Sequence, residues 1–217
     1  MSAVTRLAAL GTALALSTAC SSTSVRGEVD GTPAVGARTA IFDTIEVNLF
    51  GFGFESTIVM LSDIPNGCEV FEELTRVRTA DCVDTCTDLG SVGNDYLGRD
   101  DYWATYIVLN PYDDHVGTYV YDSGLQGEGE FTTTFSALDF SEVYNQESCE
   151  DECFANNALI TMDDEESDAG TVTIEAFENN VELQGDFEIE FPGDESLRGT
   201  FKAEHCNLED LFTGGLF

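Results

Sequence analysis

The feature that most constrains the fold is an uninterrupted alternation of apolar and polar side chains over residues 181–191. The apolar positions, which share one side of an extended chain, are Val181, Leu183, Phe187, Ile189 and Phe191. A period of two with one charged side predicts a strand that packs on one face and meets water on the other. The same period in residues 172–176 and 197–203 predicts a three-stranded antiparallel meander, whose apolar face needs a covering layer.

Further predicted strands follow along the chain, and the one at residues 57–61 is expected to be more fully buried than the others. They cover residues 41–49, 57–61, 102–110, 115–121, 131–140 and 158–162. Residues 70–77 instead have apolar side chains at helical spacing, which predicts one short amphipathic helix. We therefore expect an all-β fold, an antiparallel β-sandwich of two packed sheets. Residues 79–101 and 141–157 are expected to be loop insertions, and residues 163–168 an acidic turn.

The first twenty residues are typical of a targeting signal. Arg6 precedes an apolar run from Leu7 to Leu16, which is too short for a bilayer span of roughly 20 residues. The following Leu16-Ser17-Thr18-Ala19-Cys20 resembles the lipobox of bacterial lipoprotein signal peptides. That resemblance implies cleavage before Cys20, acylation of Cys20 and, because Ser21 follows, delivery to the outer membrane. An ordinary secretory signal with a chance cysteine is the alternative.

Composition along the chain predicts three parts. Residues 1–19 form the signal peptide, and residues 20–40, with few large apolar groups, are expected to form a flexible tether. Residues 41–217 have a suitable length for a single domain with a sizeable core.

The charge balance is strongly acidic, with 42 Asp and Glu against 8 Lys and Arg. A surface with this excess repels nucleic acid and anionic lipid headgroups, because binding phosphates needs basic groups. Carboxylates could serve to bind cations, or they could be an adaptation to salt, where a Debye length of ~3 Å near 1 M screens their repulsion. The single lysine, Lys202, favours salt adaptation, since a calcium site needs only local acids.

The cysteines predict a disulfide framework. Apart from Cys20 there are six, and an even number in an exported chain indicates three disulfides. They are Cys68, Cys82, Cys86, Cys149, Cys153 and Cys206. The two Cys-x-x-x-Cys pairs are expected to join the two loop insertions, and Cys68 is expected to join Cys206. Bonds within each pair, or zinc held by the four thiolates, are the alternatives.

The tyrosines are unusually clustered and provide the candidate ligand-binding residues. If Trp103 faces the core, then Tyr102 and Tyr106 on the same strand face outward, beside Tyr119 and Tyr121 on the next strand. An exposed tyrosine stripe beside carboxylates suits stacking on sugar rings. Cross-strand aromatic pairing that stabilises the sheet is the alternative.

Four short motifs place a glycine two residues before an aromatic side chain. They are Gly117-Thr118-Tyr119, Gly129-Glu130-Phe131, Gly185-Asp186-Phe187 and Gly199-Thr200-Phe201. Their spacing along the chain is irregular, so they do not indicate a repeat array. We expect aromatic rings to cover neighbouring strand glycines.

Three groups of residues give the chain a recognisable layout. They are Met60-Leu61-Ser62-Asp63 followed by Cys68, then Gly117-Thr118-Tyr119, then the meander that ends at Cys206. This layout resembles a widespread, uncharacterised type of bacterial secreted lipoprotein domain over about half of the chain. The resemblance implies no catalytic residue.

Motifs for catalysis are scarce. The two histidines, His115 and His205, occur in no nucleophile-elbow, metalloprotease or phosphate-loop motif. A carboxylate pair for glycoside hydrolysis arises by chance among so many acids, and the acidic residues 163–168 match an EF-hand loop poorly. We expect a non-catalytic, lipid-anchored envelope protein with a binding or structural role and no cofactor or metal. The expected partners are the membrane and a glycan or protein ligand, and the alternatives are a carbohydrate-binding or a calcium-dependent adhesion module.

Overall fold

The computed structural model describes residues 23–49, 52–78, 98–99, 101–125, 127–139 and 161–208. These residues form eleven strands and one helix, α1 (Gly67–Arg78). The strands are β1 (Ser24–Val29), β2 (Thr32–Val35), β3 (Thr39–Leu49), β4 (Phe52–Ser62), β5 (Asp101–Asn110), β6 (Gly117–Tyr121), β7 (Glu130–Asp139), β8 (Thr161–Glu166), β9 (Ala169–Glu178), β10 (Glu182–Phe191) and β11 (Glu195–His205). The predicted all-β class, the single helix and the meander of β9, β10 and β11 are confirmed.

Eight strands close into a barrel in the order β3-β4-β5-β7-β6-β9-β10-β11, and β11 returns to β3. The other three strands extend the sheet, because β8 pairs with β7 and the hairpin of β1 and β2 lies beside β11. The predicted sandwich of two separate sheets is therefore wrong, since the sheet is continuous.

The barrel consists of two antiparallel halves joined by two short parallel seams. One half contains β3, β4, β5 and β7, and the other contains β6, β9, β10 and β11. The seam between β6 and β7 consists of Val120 opposite Glu130 and Tyr121 opposite Phe131. The seam between β11 and β3 consists of Glu204 opposite Ile41 and His205 opposite Phe42. Alternation within each strand does not depend on these few pairs, which is why periodicity alone suggested two sheets.

Side chains fill the interior of the barrel. Its largest fully buried members include Tyr119, Phe42, Phe131, Phe135 and Phe201. The expected inward direction of Trp103 is confirmed, because it belongs to this cluster together with Ile107 and Leu109 of the same strand. An eight-stranded barrel is just wide enough for its own side chains to fill.

Two phenylalanines cover two glycines across β10 and β11. Gly185 lies opposite Phe201, and Phe187 lies opposite Gly199. A Cβ added to Gly185 would lie 2.9 Å from Phe201 Cζ, and one added to Gly199 would lie 3.2 Å from Phe187 Cε1. The predicted packing of rings on strand glycines is confirmed for these two motifs.

The expected flexible tether is wrong for residues 24–35, which form β1 and β2. β1 pairs with β11 from Ser24 to Glu28, and Val25, Val29 and Ala34 are buried. Three small apolar side chains are a weak local signal, and the strand that stabilises them lies about 170 residues further along the chain. Composition over a short window cannot detect such a partner.

A second apolar cluster lies outside the barrel, where α1 covers the half made of β3, β4, β5 and β7. Val70 and Phe71 of α1 pack there with outward-facing strand residues such as Met60. The start of α1 is held by Thr39, whose Oγ1 accepts a hydrogen bond of 2.8 Å from the Gly67 amide. No helix in the described ranges has the length and apolar character needed to cross a membrane.

The predicted disulfide between Cys68 and Cys206 is present and ties α1 to the end of β11. The two Cα atoms are 5.8 Å apart. Cys20, Cys82, Cys86, Cys149 and Cys153 lie outside the described residues, so their predicted roles stay predictions. The same holds for most of the two expected loop insertions.

The acidic segment that was expected to turn is largely a strand. β8 pairs with β7 from Thr161 to Glu166. Ser136 Oγ on β7 donates a 2.6 Å hydrogen bond to Asp164 Oδ1 on β8. Pairing with β7 supplies the hydrogen bonds that a run of acids could not supply by itself, so residues 163–168 do not form an EF-hand-like loop.

Candidate functional site

Both histidines lie at the end of the barrel where β5, β9 and β11 finish, and a chain of ring contacts links them. His115 stacks on Phe177 with 3.9 Å between ring centroids. Phe177 meets the edge of Phe42 at 6.0 Å, and Phe42 meets His205 at 5.7 Å. Two residues that are distant in sequence therefore belong to one aromatic cluster at this end.

His115 is buried in the connection between β5 and β6. Its Nε2 lies 3.4 Å from Glu55 Oε1 but makes no well-aligned hydrogen bond with a described residue. Burial lowers the pKa of His115, and the nearby Glu55 and Asp114 carboxylates oppose that shift. The backbone carbonyl of His115 accepts a 2.9 Å hydrogen bond from the Tyr119 hydroxyl. The imidazole is thus favoured in its neutral form, and the hydrogen bond from Tyr119 holds the backbone of His115.

His205 pairs with the buried carboxylate of Asp43. The distance from His205 Nε2 to Asp43 Oδ1 is 3.2 Å. Asp43 also accepts hydrogen bonds of 2.8 Å from the amides of Thr44 and Leu208. This carboxylate therefore holds the segment after β11 against β3, next to the disulfide of Cys206.

The two histidine–carboxylate pairs resemble parts of acid–base sites in composition. Among the described residues, neither imidazole hydrogen-bonds to a hydroxyl or a thiol. Activation of a nucleophile requires that contact. What these residues provide is packing at the barrel end and attachment of the last described segment.

A groove of 470 Å³ opens beside His115. It is lined by Tyr112, Asp113, Asp114, Val116, Gly117, Thr118 and Glu128. Three of these residues carry carboxylates, which accept hydrogen bonds from hydroxyl or ammonium donors. Tyr112 contributes an aromatic ring.

Two glycines leave room for the ring of Tyr112, which lines this groove. A Cβ on Gly117 would lie 2.6 Å from Tyr112 Cε2, and a Cβ on Gly129 would collide with the Tyr112 hydroxyl. The hydroxyl donates a 3.1 Å hydrogen bond to the carbonyl of Thr118. The ring position is therefore fixed by backbone contacts on both sides.

The predicted exposed stripe of four tyrosines is not formed. Tyr102 and Tyr106 are each 5% exposed in the cluster beneath α1, and burial with the nearby Asp164 raises the pKa of Tyr106. Tyr119 is fully buried inside the barrel, where burial raises its pKa to about 12. Tyr121 is partly buried and packs against the apolar cluster of the barrel interior. The prediction assumed a wet outer face on β5, but this strand is buried on both faces.

The described residues contain one close group of potential metal ligands. It consists of Cys68, Glu72 and Cys206, and the disulfide engages both sulfur atoms. The zinc alternative concerned four other cysteines, which lie outside the described residues.

The groove was missed at the sequence level. Tyr112, Asp113 and Asp114 follow a proline and lie between two predicted strands, at residues 102–110 and 115–121. Glu128 comes from the connection before β7 and reaches the groove because Gly129 donates a 2.9 Å backbone hydrogen bond to Asn110. The available signal was the pair of glycine–aromatic motifs at Gly117 and Gly129, which mark where Tyr112 packs.

Comparison with models of known families, with curated proteins and with solved structures found no match. The site must therefore be interpreted from its own geometry and chemistry.

Proposed function

We propose that this chain is a lipid-anchored protein of the bacterial cell envelope with a non-catalytic binding or structural role. The lipobox-like residues ending in Cys20 support the anchor and the outer-membrane location. The observation that supports a role at the outer surface is the filled barrel interior, because side chains occupy the space that a ligand would need inside the barrel.

The anchor is tested by expressing the full chain in a bacterium and measuring the mass of the N-terminal peptide of the mature protein. We expect an acylated Cys20 as the first residue and co-sedimentation with outer membranes. The matched variant Cys20→Ser should keep its signal peptide or be released as a soluble chain. Cleavage at another position without acylation would contradict the proposed anchor.

A second candidate function, binding of a hydroxyl-rich ligand such as a glycan, is supported by the groove at Tyr112. Its fixed aromatic ring offers an apolar face, and Asp113, Asp114 and Glu128 offer acceptors for hydroxyl groups. This proposal replaces the tyrosine stripe as the location of the glycan-binding alternative.

The groove is tested by saturation-transfer NMR with a panel of neutral oligosaccharides. Replacing the three carboxylates together, Asp113→Asn, Asp114→Asn and Glu128→Gln, should abolish the transfer signal. The exposed Glu175, on β9 outside the groove, provides the control variant Glu175→Gln. An unchanged signal in the triple variant, or no signal with any oligosaccharide, would contradict this candidate function.

A further inference from the structure

The pairing register places two arginines side by side on the outer face of the barrel. Arg26 of β1 lies directly opposite Arg198 of β11, and both are exposed. Their chain neighbours Val25 and Leu197 point into the apolar interior, so both guanidinium groups point away from it. Directly opposite residues have Cβ atoms about 5 Å apart.

Neither guanidinium group has an ion-pair, hydrogen-bond or ring partner among the described residues. This is unexpected in a chain with 42 acids and only 8 basic residues. Like charges that face each other across two strands destabilise a sheet. The pair therefore leaves two adjacent cations available for an anion from outside the chain.

The surroundings of the pair limit the size of that anion. On the same outer face, Glu188 of β10 lies directly opposite Arg198 on its other side, and Glu28 is the next outward residue after Arg26. These carboxylates repel an extended polyanion. Two residues along each strand from the arginines, the hydroxyl groups of Ser24 and Thr200 lie 3.1 Å apart. Two guanidinium groups with hydroxyls nearby suit one oxyanion, which arginine binds through paired N–H donors.

The position of β1 in the chain identifies the nearest source of such an oxyanion. Thr23, the first described residue, is held against β11, because its hydroxyl accepts a 3.3 Å hydrogen bond from the Lys202 amide. Cys20 lies only three residues earlier, which is at most about 11 Å of extended chain. An acyl chain on Cys20 therefore brings this face of the barrel close to the phosphate layer of the membrane.

From the register, the unpaired charges and the short connection, we infer that Arg26 and Arg198 bind the phosphate group of a lipid headgroup beside the anchor. This contact orients the barrel with β1 and residues 196–200 of β11 toward the membrane. The inference rests on the proposed acylation of Cys20. The large net negative charge restricts the contact to zwitterionic lipids, because anionic lipids repel the rest of the surface.

The oxyanion site is tested first without a membrane, on the full Cys20→Ser chain. Inorganic phosphate is added at constant ionic strength, and the arginine side-chain N–H signals are followed by NMR. The signals of Arg26 and Arg198 should shift and saturate together. Arg26→Gln or Arg198→Gln should weaken binding about tenfold or more, as expected for loss of a charge-assisted hydrogen bond. The control Arg38→Gln, which removes another exposed arginine, should leave the affinity unchanged.

The membrane contact is tested with the acylated protein in vesicles of phosphatidylethanolamine that carry a nitroxide at the headgroup. Paramagnetic broadening should be strong at the amides of residues 26 and 198 and weak at Glu72, which is exposed on α1. Arg26→Gln with Arg198→Gln should remove this difference while the protein stays membrane-bound through its lipid. Adding the anionic lipid phosphatidylglycerol to the vesicles should also reduce the difference in broadening between residues 26 and 198 and Glu72.

The outcomes separate this inference from the anchor itself. Saturable phosphate binding with no preferential broadening would mean a site for free phosphate and would overturn the membrane contact. No saturable shift at either arginine would overturn the oxyanion site, even if Cys20 is acylated. A mature protein without an acyl chain would contradict the proposed function, whereas the phosphate titration would still report on the arginine pair.

Discussion

The two halves of the barrel share one interior but differ on their outer faces. On the half formed by β3, β4, β5 and β7, the outer face is covered by α1, so β5 has buried residues on both sides. On the half formed by β6, β9, β10 and β11, the outer face is open, and β10 alternates between buried residues and exposed or half-buried ones. The two halves differ in how well alternation predicts them. Alternation correctly predicts the exposed side of a strand with one face in water, but it predicts an exposed side wrongly for a strand that is buried on both faces.

The largest expected effect on stability comes from removing the disulfide that ties α1, which covers the first half, to the end of β11. The disulfide between Cys68 and Cys206 closes a segment of 138 residues. Loops of this length correspond to about 5 kcal/mol of unfolding free energy in the chain-entropy model. In urea denaturation, the free energy of unfolding of the double variant Cys68→Ala with Cys206→Ala should be lower than that of the wild type by up to this amount. A loss below about 1 kcal/mol would show that α1 is held by packing alone.

One substitution on each outer face compares the stability contributed by the covered face with that contributed by the open face. Met60 is 1% exposed beneath α1, and Met60→Ala should cost about 2–5 kcal/mol because it leaves a cavity. Ser196 is exposed on the open face, and Ser196→Ala should change stability by less than about 0.5 kcal/mol. Urea titrations of both variants compare the two values. Equal effects would contradict the assignment of the covered face.

Salt should act mainly on the open half. Asp186, Glu188 and Glu190 are exposed at successive outward positions of β10, and raising sodium chloride toward 1 M shortens the screening length to ~3 Å. The melting temperature should therefore rise with salt. Neutralising the three acids by Asp186→Asn, Glu188→Gln and Glu190→Gln should add up to about 1 kcal/mol at low salt and less at high salt. A melting temperature that stays flat or falls in salt would count against the salt-adapted surface.

The smallest effect is expected where the two halves meet, at His115. Its pKa is lower in the folded protein because burial disfavours the charged imidazole. Keeping the ring neutral therefore stabilises the fold above pH ~6.5, and this contribution is lost as the pH falls through the lowered folded pKa. The free energy of unfolding should decline more steeply from pH ~7.5 to pH ~5.5 in the wild type than in His115→Gln. Parallel pH profiles would rule out His115 as the source of the decline.

The sequence predicted the elements that local patterns determine. The meander from β9 to β11, the helix at residues 70–77 and the inward direction of Trp103 all follow from periodicity, and the structure confirms them. Barrel closure could not be predicted, because each seam consists of only two residue pairs, and β11 and β3, which close the barrel, are distant in sequence. The burial of Tyr102 and Tyr106 depends on the position of α1, which no local pattern reports.

The candidate sites were less predictable than the fold, for a related reason. The groove combines Asp113 and Asp114 with Glu128 from another connection, and the arginine pair combines residues from β1 and β11. Both depend on strand register. The disulfide was predictable because Cys68 and Cys206 were the two cysteines left after the paired spacings were assigned.

The position of β11 also has a consequence for the order in which the chain can fold. This strand pairs with β10 along one edge and with both β1 and β3 along the other. A polypeptide emerges from the ribosome, or from a translocation pore, with its N-terminus first. The edges of β1 and β3 that pair with β11 therefore stay unpaired until residues 195–205 have emerged. Completion of the barrel is thus a late event, and a nascent chain that stops before Glu195 leaves its first strand unpaired along that edge.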